Sequence, residues 1–221
     1  MPAAPPRVFL LSPAHIGGKR AELLLRAEAG FPLAERLRGA SGATLGEAFS
    51  FLSGLYFRGK LAYAREFARP PKGESGVQVI TTNRGLLGAD TLVGAGDLRA
   101  FGGVDIRPDE PRYRVPLERD LARLAGHPEL ELVLLGSVAT GKYVDVLLDV
   151  VGERLLFPTD FVGRGDMSRG ALLLGAARER VELPYEPVAT AVLRGSRPGK
   201  AGPTNDRDRS TASSRGTPDP G

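Results

Sequence analysis

The sequence predicts an α/β fold, with a single, mostly parallel sheet of about five strands and helices on both faces. Short apolar runs are typical of strands buried on both faces, and they recur at residues 7–12, 77–82, 131–135 and 155–158. Helix-length segments separate these runs, as in βαβ units. Glycine-rich turns follow several of the runs, where a parallel sheet carries the loops of its carboxyl edge.

The first half of the chain is expected to contain one strand and several helices. Residues 7–12 (RVFLLS) form the first strand, and residues 19–27 and 31–38 form two short helices. A pair of helices follows over residues 45–67, interrupted at Gly54 and Gly59, and it holds most of the aromatic side chains. Thr44 and Glu47 have the spacing of a capping box at its start.

In the second half of the chain, the predicted strands and helices alternate more regularly. Residues 77–82 form a strand, residues 83–90 a turn, residues 98–106 a weak strand and residues 109–114 a polar loop. A helix is predicted over residues 116–125, a strand over 131–135, a helix over 144–151 and a strand over 155–158. A helix over residues 169–179 and a final edge strand over residues 185–193 complete the domain.

The chain divides into three parts by composition. Residues 1–6 are predicted to be a flexible N-terminus, and residues 7–194 a single α/β domain. Residues 195–221 lack aromatic and large aliphatic side chains and are rich in glycine, proline and charge, so they are predicted to be a disordered tail.

Composition excludes several kinds of site. The 221 residues are 42% apolar, which is enough for one substantial core. The absence of cysteine excludes disulfides, thiolate catalysis and cysteine-bound zinc, and two histidines argue against a histidine metal site. We therefore expect no metal and no cofactor. No apolar run reaches the ~18 residues of a membrane span, and the N-terminus lacks a signal-peptide pattern, so a cytoplasmic protein without membrane contact is expected.

A glycine turn follows the strand over residues 131–135. Residues 136–142 (GSVATGK) match most of the P-loop pattern, but Tyr143 replaces the hydroxyl residue that would hold magnesium, and no acidic strand end follows. A P-loop nucleotidase is therefore disfavoured. Gly136 and Ser137 are instead predicted to offer backbone amides to an anion, with Lys142 beside them. An ordinary tight turn with a solvated lysine is the alternative.

A second loop, residues 161–170, follows the next strand. Its glycines, including Gly163, allow backbone to approach a ligand, and Arg164 and Arg169 offer planar forks to phosphate or carboxylate. Asp166 is the candidate catalytic carboxylate, although it or Ser168 can equally cap the following helix. Both loops follow strands, so both are expected at one edge of the sheet.

Two further sets of residues are candidates for ligand contact. The segment 16–21 (IGGKRA) matches half of a helix-hairpin-helix, which would place Lys19 and Arg20 against a phosphate, although a strand precedes it where that motif has a helix. Ser12 ends the first strand, and Tyr56, Arg58 and Lys60 lie where the apolar pattern of their helix breaks, so these three residues are candidates to face a cleft. A core helix pair is the plainer interpretation of the aromatic segment.

Short motifs in the chain resemble the YaaA family, which is linked to peroxide stress and DNA binding. Residues 11–14 (LSPA) are similar to that family's S-P-A-K opening, with His15 in place of the lysine and Lys19 the nearest substitute. Residues 52–56 (LSGLY) are similar to its L-S-G-L-Y-G segment, with Phe57 in place of the last glycine. Residues 85–90 (GLLGAD) resemble the G-L-L-x-P-D turn of related bacterial α/β domains. The resemblance covers parts of residues 7–175 and implies a role linked to nucleic acid or nucleotides.

Three functions are compatible with these features. The first is a nucleic-acid- or nucleotide-binding α/β protein, in DNA damage or oxidative stress response, with an anion site at the sheet edge. The second is an enzyme that acts on a base or nucleoside, an N-glycosidic hydrolase or transferase that uses Asp166, with Asp160, Asp90 and Asp145 as other carboxylates. The third is a structural or partner-binding domain without chemistry. The ligand residues of the first function are Ser12, Lys19, Arg20, Tyr56, Gly136, Ser137, Lys142, Gly163, Arg164 and Arg169.

Overall fold

The protein is described from a computed structural model, which covers residues 4–138 and 141–195. The chain forms eight strands and nine α-helices in this part. The strands are β1 (Arg7–Leu11), β2 (Ala43–Thr44), β3 (Val77–Ile80), β4 (Leu86–Gly88), β5 (Leu92–Val93), β6 (Glu131–Leu135), β7 (Leu155–Pro158) and β8 (Tyr185–Pro187). The helices are α1 (Lys19–Leu25), α2 (Pro32–Arg38), α3 (Leu45–Ser53), α4 (Leu55–Phe67), α5 (Ala95–Gly102), α6 (Pro111–Ala125), α7 (Gly141–Val151), α8 (Asp166–Glu179) and α9 (Val188–Gly195).

The main sheet has six strands in the order β4-β3-β1-β6-β7-β8. The four inner strands are parallel, and β4 and β8 join the two edges in antiparallel orientation. A separate two-stranded antiparallel sheet pairs β2 with β5. The prediction of a mostly parallel sheet is therefore confirmed.

The order of the strands reverses at β1. The chain first leaves β1 for β3 on one side and later returns to β6 on the other side. Parallel crossovers are right-handed, so this reversal places the two sets of connecting helices on opposite faces. In agreement, α4 packs against α8, β1 and β3, whereas α6 packs against α7. The carboxyl ends of β1 and β6 therefore border the crevice in which α/β sheets usually bind ligands.

The centre of the sheet is fully covered. Residues 8–11 of β1 and residues 133–135 of β6 have no exposed surface. Such strands have to be apolar along their whole length, because neither face meets water. This explains why their sequences are continuous apolar runs rather than alternating ones.

Helices α4 and α8 cross closely on the face of the sheet that α4 covers. A Cβ atom at Gly59 of α4 would lie 2.5 Å from the backbone oxygen of Gly170 in α8, and one at Gly170 would lie 2.9 Å from the Tyr56 Cα atom. Glycine is needed at both positions, since any side chain would force the helices apart. The crossing brings the first turn of α8 next to the first turns of α4.

Several element predictions are corrected. The sheet has six strands rather than about five, because residues 86–88 of the predicted turn form the edge strand β4 and hydrogen-bond to β3. Of the edge strand predicted over residues 185–193, residues 185–187 form β8, whereas residues 188–193 belong to α9. Residues 98–106, predicted as a weak strand, belong to α5 or to the loop after it. In each case a short apolar segment fitted both periodicities, and its packing decided between them.

The helix boundaries differ as well. Helix α6 begins at Pro111, within the predicted polar loop, and contains Pro116. Helix α8 begins at Asp166 with Gly165 as its N-cap, so neither Asp166 nor Ser168 caps it by a side chain. The break at Gly54 and the capping box of Thr44 and Glu47 are confirmed, whereas α4 continues through Gly59. The predicted tail lies outside the described residues, apart from Gly195.

Candidate functional site at the carboxyl edge of the sheet

The crevice at the reversal point of the sheet contains a buried amine. The Lys60 side chain extends from α4 to the end of β1, where its Nζ atom donates to the Ser12 carbonyl oxygen at 2.7 Å and to the Ser12 Oγ atom at 2.9 Å. Lys60 is 1% exposed. Its Nζ atom also lies 4.5 Å from the centre of the Tyr56 ring and 4.9 Å from that of Phe57.

The environment of Lys60 disfavours its positive charge. Among the described residues, no carboxylate forms an ion pair with the amine, and its hydrogen-bond acceptors are both uncharged. Burial lowers the pKa of Lys60 from its ordinary 10.5 to about 7, and the carboxylate of Asp166 acts in the opposite direction. A large fraction of the amine is therefore unprotonated near neutral pH, whereas a solvated lysine is almost entirely protonated there.

Ser12 joins this amine to the neighbouring strand. Its backbone N–H donates to the Leu135 carbonyl oxygen at 3.2 Å, and its hydroxyl donates to the same oxygen at 3.3 Å. Ser12 is therefore held between the ends of β1 and β6 and close to Lys60. The serine at the end of the first strand, predicted as a ligand contact, lies at the centre of the crevice.

Tyr143 enters the same place from the other face of the sheet. It is the third residue of α7, and its hydroxyl accepts the Ser137 backbone N–H at 2.9 Å. Burial raises the pKa of Tyr143, while this N–H and the Ser12 hydroxyl act against the shift. A Cβ atom at Gly136 would lie 3.0 Å from the Tyr143 hydroxyl and 3.0 Å from the Ser12 Cβ atom, so no larger residue fits between these side chains.

This contact bears on the anion site predicted in the glycine turn. The Ser137 amide, one of the predicted anion donors, donates to Tyr143 in the structure, whereas anion binding by the Gly136 amide stays a prediction. Tyr143, the residue that breaks the P-loop pattern, is thus part of the crevice. Residues 139–140 of the turn lie outside the described residues.

Two residues of α8 complete the crevice. Arg169 donates from Nε and Nη2 to the Phe161 carbonyl oxygen at 3.2 and 3.0 Å, and its guanidinium lies 5.3 Å from the centre of the Phe161 ring. Its Nη1 atom is 3.9 Å from the carboxylate of the exposed Asp166. Arg169 and Asp166 both act electrostatically on Tyr56 and Tyr143.

The Tyr56 hydroxyl is buried and makes no well-aligned hydrogen bond in the described part of the chain, although the Arg169 guanidinium approaches it. Tyr56 is 7% exposed, and burial raises the pKa of its hydroxyl, while Arg169 acts against this shift by its charge and as a hydrogen-bond donor. Leaving a buried donor unsatisfied costs about 1–3 kcal/mol, and a nearby charged donor such as Arg169 offsets part of that cost.

A cavity of 420 Å³ lies beside the crevice, and Pro13, the residue after Ser12, lines it. Its walls are largely apolar and include Ile16, Phe49, Phe101, Val104 and Ile106. Its polar lining includes His15, Thr82, Asp105, Arg107 and Lys142. Lys142 is exposed and has no ion-pair partner among the described residues.

The remaining predicted ligand residues lie elsewhere. Arg20 donates to the Phe51 carbonyl oxygen at 3.4 Å and lines a second, shallower groove with Arg58 and Met167. Lys19 is exposed on α1. Arg164 is held within its own loop, where it donates to the Asp160 carbonyl oxygen and the Ser168 hydroxyl. Gly163 makes the turn of that loop with φ at 75°.

The structure therefore divides the predicted site. It brings Ser12, Tyr56, Gly136, Asp166 and Arg169 together around Lys60 and places Lys142 on the adjacent cavity, but it leaves Lys19, Arg20, Gly163 and Arg164 out of this set. Lys60 and Tyr143 were not among the predicted ligand residues. A signal for Lys60 was present, because it falls on the apolar stripe of α4 with Tyr56, Phe57 and Ala64, where a charged residue is out of pattern.

Comparison of the chain with protein-family models, curated proteins and solved structures finds no match. Among the described residues, no helix is long and apolar enough to span a membrane. The same part of the chain contains no cluster of three histidine or acidic side chains arranged to hold a metal ion.

Proposed function

We propose that the protein binds a phosphate-bearing nucleotide, either free or as one unit of a single-stranded nucleic acid, at the carboxyl edge of its sheet. The cavity beside Ser12 is the observation that carries this proposal. Its 420 Å³ fall within the range of small-molecule sites, about 300–1,000 Å³. It also lies at the strand-order reversal, where α/β sheets bind nucleotides.

The lining of the cavity fits the three parts of a nucleotide. The apolar wall of Ile16, Phe49 and Phe101 suits the flat face of a base. The carboxylate of Asp105 accepts hydrogen bonds from ribose hydroxyls, as acidic residues do in dinucleotide sites. Lys142 supplies an uncommitted positive charge for a phosphate.

The proposal favours an unstacked nucleotide over a DNA duplex. Bases in a duplex are stacked, and they enter a protein cavity only after unpairing, whereas a free nucleotide or a single strand does not pay that cost. The modest net charge of +4 also argues against a broad duplex-binding surface. A role in stress response, implied by the resemblance to the YaaA family, stays a prediction.

Binding of labelled ligands tests the proposal. Fluorescent nucleoside monophosphates with each common base, a single-stranded oligonucleotide and the matching duplex are titrated with the full chain at two salt concentrations. We expect the monophosphates or the single strand to bind, and Lys142→Ala to weaken binding about tenfold, since a phosphate contact contributes roughly 1.4 kcal/mol or more. Gly102→Leu, which adds a side chain to the cavity lining, should abolish it.

The control is Lys72→Ala. Lys72 is exposed in the loop that enters β3 from the opposite edge of the sheet, so its removal should leave binding unchanged. The proposal is wrong if none of the probes binds, or if Lys142→Ala and Gly102→Leu bind as the unchanged protein does. Duplex binding that survives Gly102→Leu would point instead to the groove with Arg20 and Arg58.

The N-glycosidic enzyme stays a second prediction. Of the described carboxylates, Asp105 is the one that lines the cavity, and Asp166 lies beside Lys60 and Tyr56 instead. An enzyme that cleaves a base from a nucleoside in this cavity would therefore use Asp105 in preference to Asp166.

A further inference from the structure

Ser12 and Lys60 have the geometry of a nucleophile and its base. The Lys60 Nζ atom is 2.9 Å from the Ser12 Oγ atom, which is within hydrogen-bond distance. The amine is oriented by a third group, because it also donates to the Ser12 carbonyl oxygen at 2.7 Å, and the rings of Tyr56 and Phe57 hold it in place. A hydroxyl, a base and an orienting group are the elements of an activated serine.

We infer that Ser12 and Lys60 form a nucleophile and general-base pair that cleaves acyl esters, an activity that goes beyond binding of a nucleotide. When Lys60 is neutral, its lone pair replaces the Leu135 carbonyl oxygen as the acceptor of the Ser12 hydroxyl proton, and it takes that proton while Oγ bonds to the ester carbonyl carbon. The carbon–oxygen bond to the alcohol then breaks, and the alcohol leaves with the proton from the Lys60 ammonium. Water, deprotonated by Lys60, attacks the acyl carbon and releases the acid, and Ser12 recovers its proton.

The surroundings of Ser12 supply donors for the negative charge of this reaction. The Tyr143 hydroxyl accepts the Ser137 N–H and interacts with the Ser12 hydroxyl, and it carries one proton that it can donate. A Cβ atom at Gly136 would lie 3.2 Å from the Ser12 Oγ atom and 3.0 Å from the Tyr143 hydroxyl. The two hydroxyls therefore converge on Gly136, where no larger residue fits, and the Tyr143 hydroxyl lies close enough to Ser12 to donate to a group bonded to its Oγ atom. The buried hydroxyl of Tyr56, which Arg169 approaches, is a second donor near Lys60.

The reaction depends on the neutral form of Lys60. The titratable groups that act on the amine are Tyr56 on α4, whose ring lies against it, and Asp166 on α8, which opposes deprotonation, whereas Arg169 and Tyr143 act on Tyr56. Burial outweighs the effect of Asp166 and brings the pKa of Lys60 to about 7. The rate of serine modification should therefore rise with pH and level off above about pH 8.

A fluorophosphonate probe tests the inference, because it phosphonylates an activated serine with loss of fluoride. The full chain is incubated with the probe, and the adduct is located by mass spectrometry of the intact protein and its peptides. We expect one adduct, on Ser12, that is absent in Ser12→Ala. Lys60→Met should slow the modification by at least about 100-fold, the usual contribution of a general base. Hydrolysis of p-nitrophenyl acetate should follow the same pattern.

Matched variants separate reactivity from folding. Ser41→Ala and Lys72→Met change exposed residues of the same types and should react as the unchanged protein does. Circular dichroism and thermal melting establish that each variant is folded. The inference is overturned if the folded protein acquires no adduct on Ser12, or if Lys60→Met reacts at the original rate. Nucleotide binding is measured separately, so loss of either activity is distinguished from loss of the other.

Discussion

Lys60 is the residue that most distinguishes this crevice from an ordinary strand end. A lysine at 1% exposure loses the hydration of its amine, and two uncharged oxygens replace only part of it. An apolar residue of similar size would fill the same space without that cost. Its pKa of about 7 is the measurable result of the burial.

The stability of the protein should therefore depend on pH through Lys60. In the unfolded chain the amine keeps its proton up to its ordinary pKa of 10.5, whereas in the folded chain it loses the proton above about 7. Between these values the unfolded state binds more protons, so the free energy of unfolding rises with pH, by at most about 1.4 kcal/mol per pH unit. Below pH 7 the cost of burying the charge is fully present.

Urea unfolding at several values between pH 6 and pH 9 measures this effect. The difference in unfolding free energy between the unchanged protein and Lys60→Met should grow with pH above about 7 and stay flat below it. Because all other groups are common to both proteins, their titrations cancel. Parallel curves across the whole range would show that Lys60 is not the titrating group.

The crossing of α4 and α8 determines the crevice at the level of elements. Gly59 and Gly170 let the two backbones touch, and this contact places Asp166 and Arg169 near Tyr56 and Lys60. The helix-breaking conformation of Gly54, with φ at 64°, starts α4 at the correct point. The glycines of this crossing thus determine where Asp166 and Arg169 lie.

Alanine at this crossing should be destabilising. Gly59→Ala and Gly170→Ala each place a Cβ atom within 3 Å of backbone, so we expect a loss of about 1–3 kcal/mol or more in unfolding free energy. Gly175→Ala in the same helix is the control, since a Cβ atom there meets nothing within 4 Å. It should be neutral or stabilising by up to about 1 kcal/mol, because alanine favours helix over glycine. Equal effects at positions 170 and 175 would contradict the role of the crossing.

At the scale of the whole molecule, a buried ion-pair cluster that stabilises the fold and the candidate site lie at opposite edges of the sheet. At the amino edge, the buried Arg7 pairs with Glu131 and Glu182, and its guanidinium lies 4.7 Å from the centre of the Tyr185 ring. These contacts join the starts of β1 and β6 to the segment that leads into β8. At the carboxyl edge, Lys142 has no ion-pair partner among the described residues and Lys60 has only uncharged acceptors.

Glu182→Gln tests this separation. It removes one of the carboxylates that compensate the buried Arg7, and a charged hydrogen bond of this kind contributes about 1.5–3 kcal/mol. We expect a lower melting temperature and an unchanged dissociation constant for the nucleotide probe. Glu153→Gln, at an exposed position, should change neither quantity. A parallel loss of stability and binding in Glu182→Gln would show that the two edges are coupled.

Local sequence determined a large part of the fold. The apolar runs of β1, β3, β6 and β7 predicted the parallel sheet, and the residues that follow these strands predicted the edge where the candidate site lies. These patterns are local, because a strand buried on both faces has to be apolar along its length. The capping box at Thr44 and the break at Gly54 are also local features, because each depends on a few neighbouring residues at a helix end.

Tertiary structure alone decided the rest. Strand β4 and helix α9 come from segments too short for periodicity to classify, so their neighbours in space determined their form. Lys60 and Ser12 are 48 residues apart, and only the packing of α4 on β1 makes the amine a partner of the hydroxyl. Sequence determined which residue types stand at the strand ends, whereas burial and distance, which depend on the folded chain, decided which of them meet.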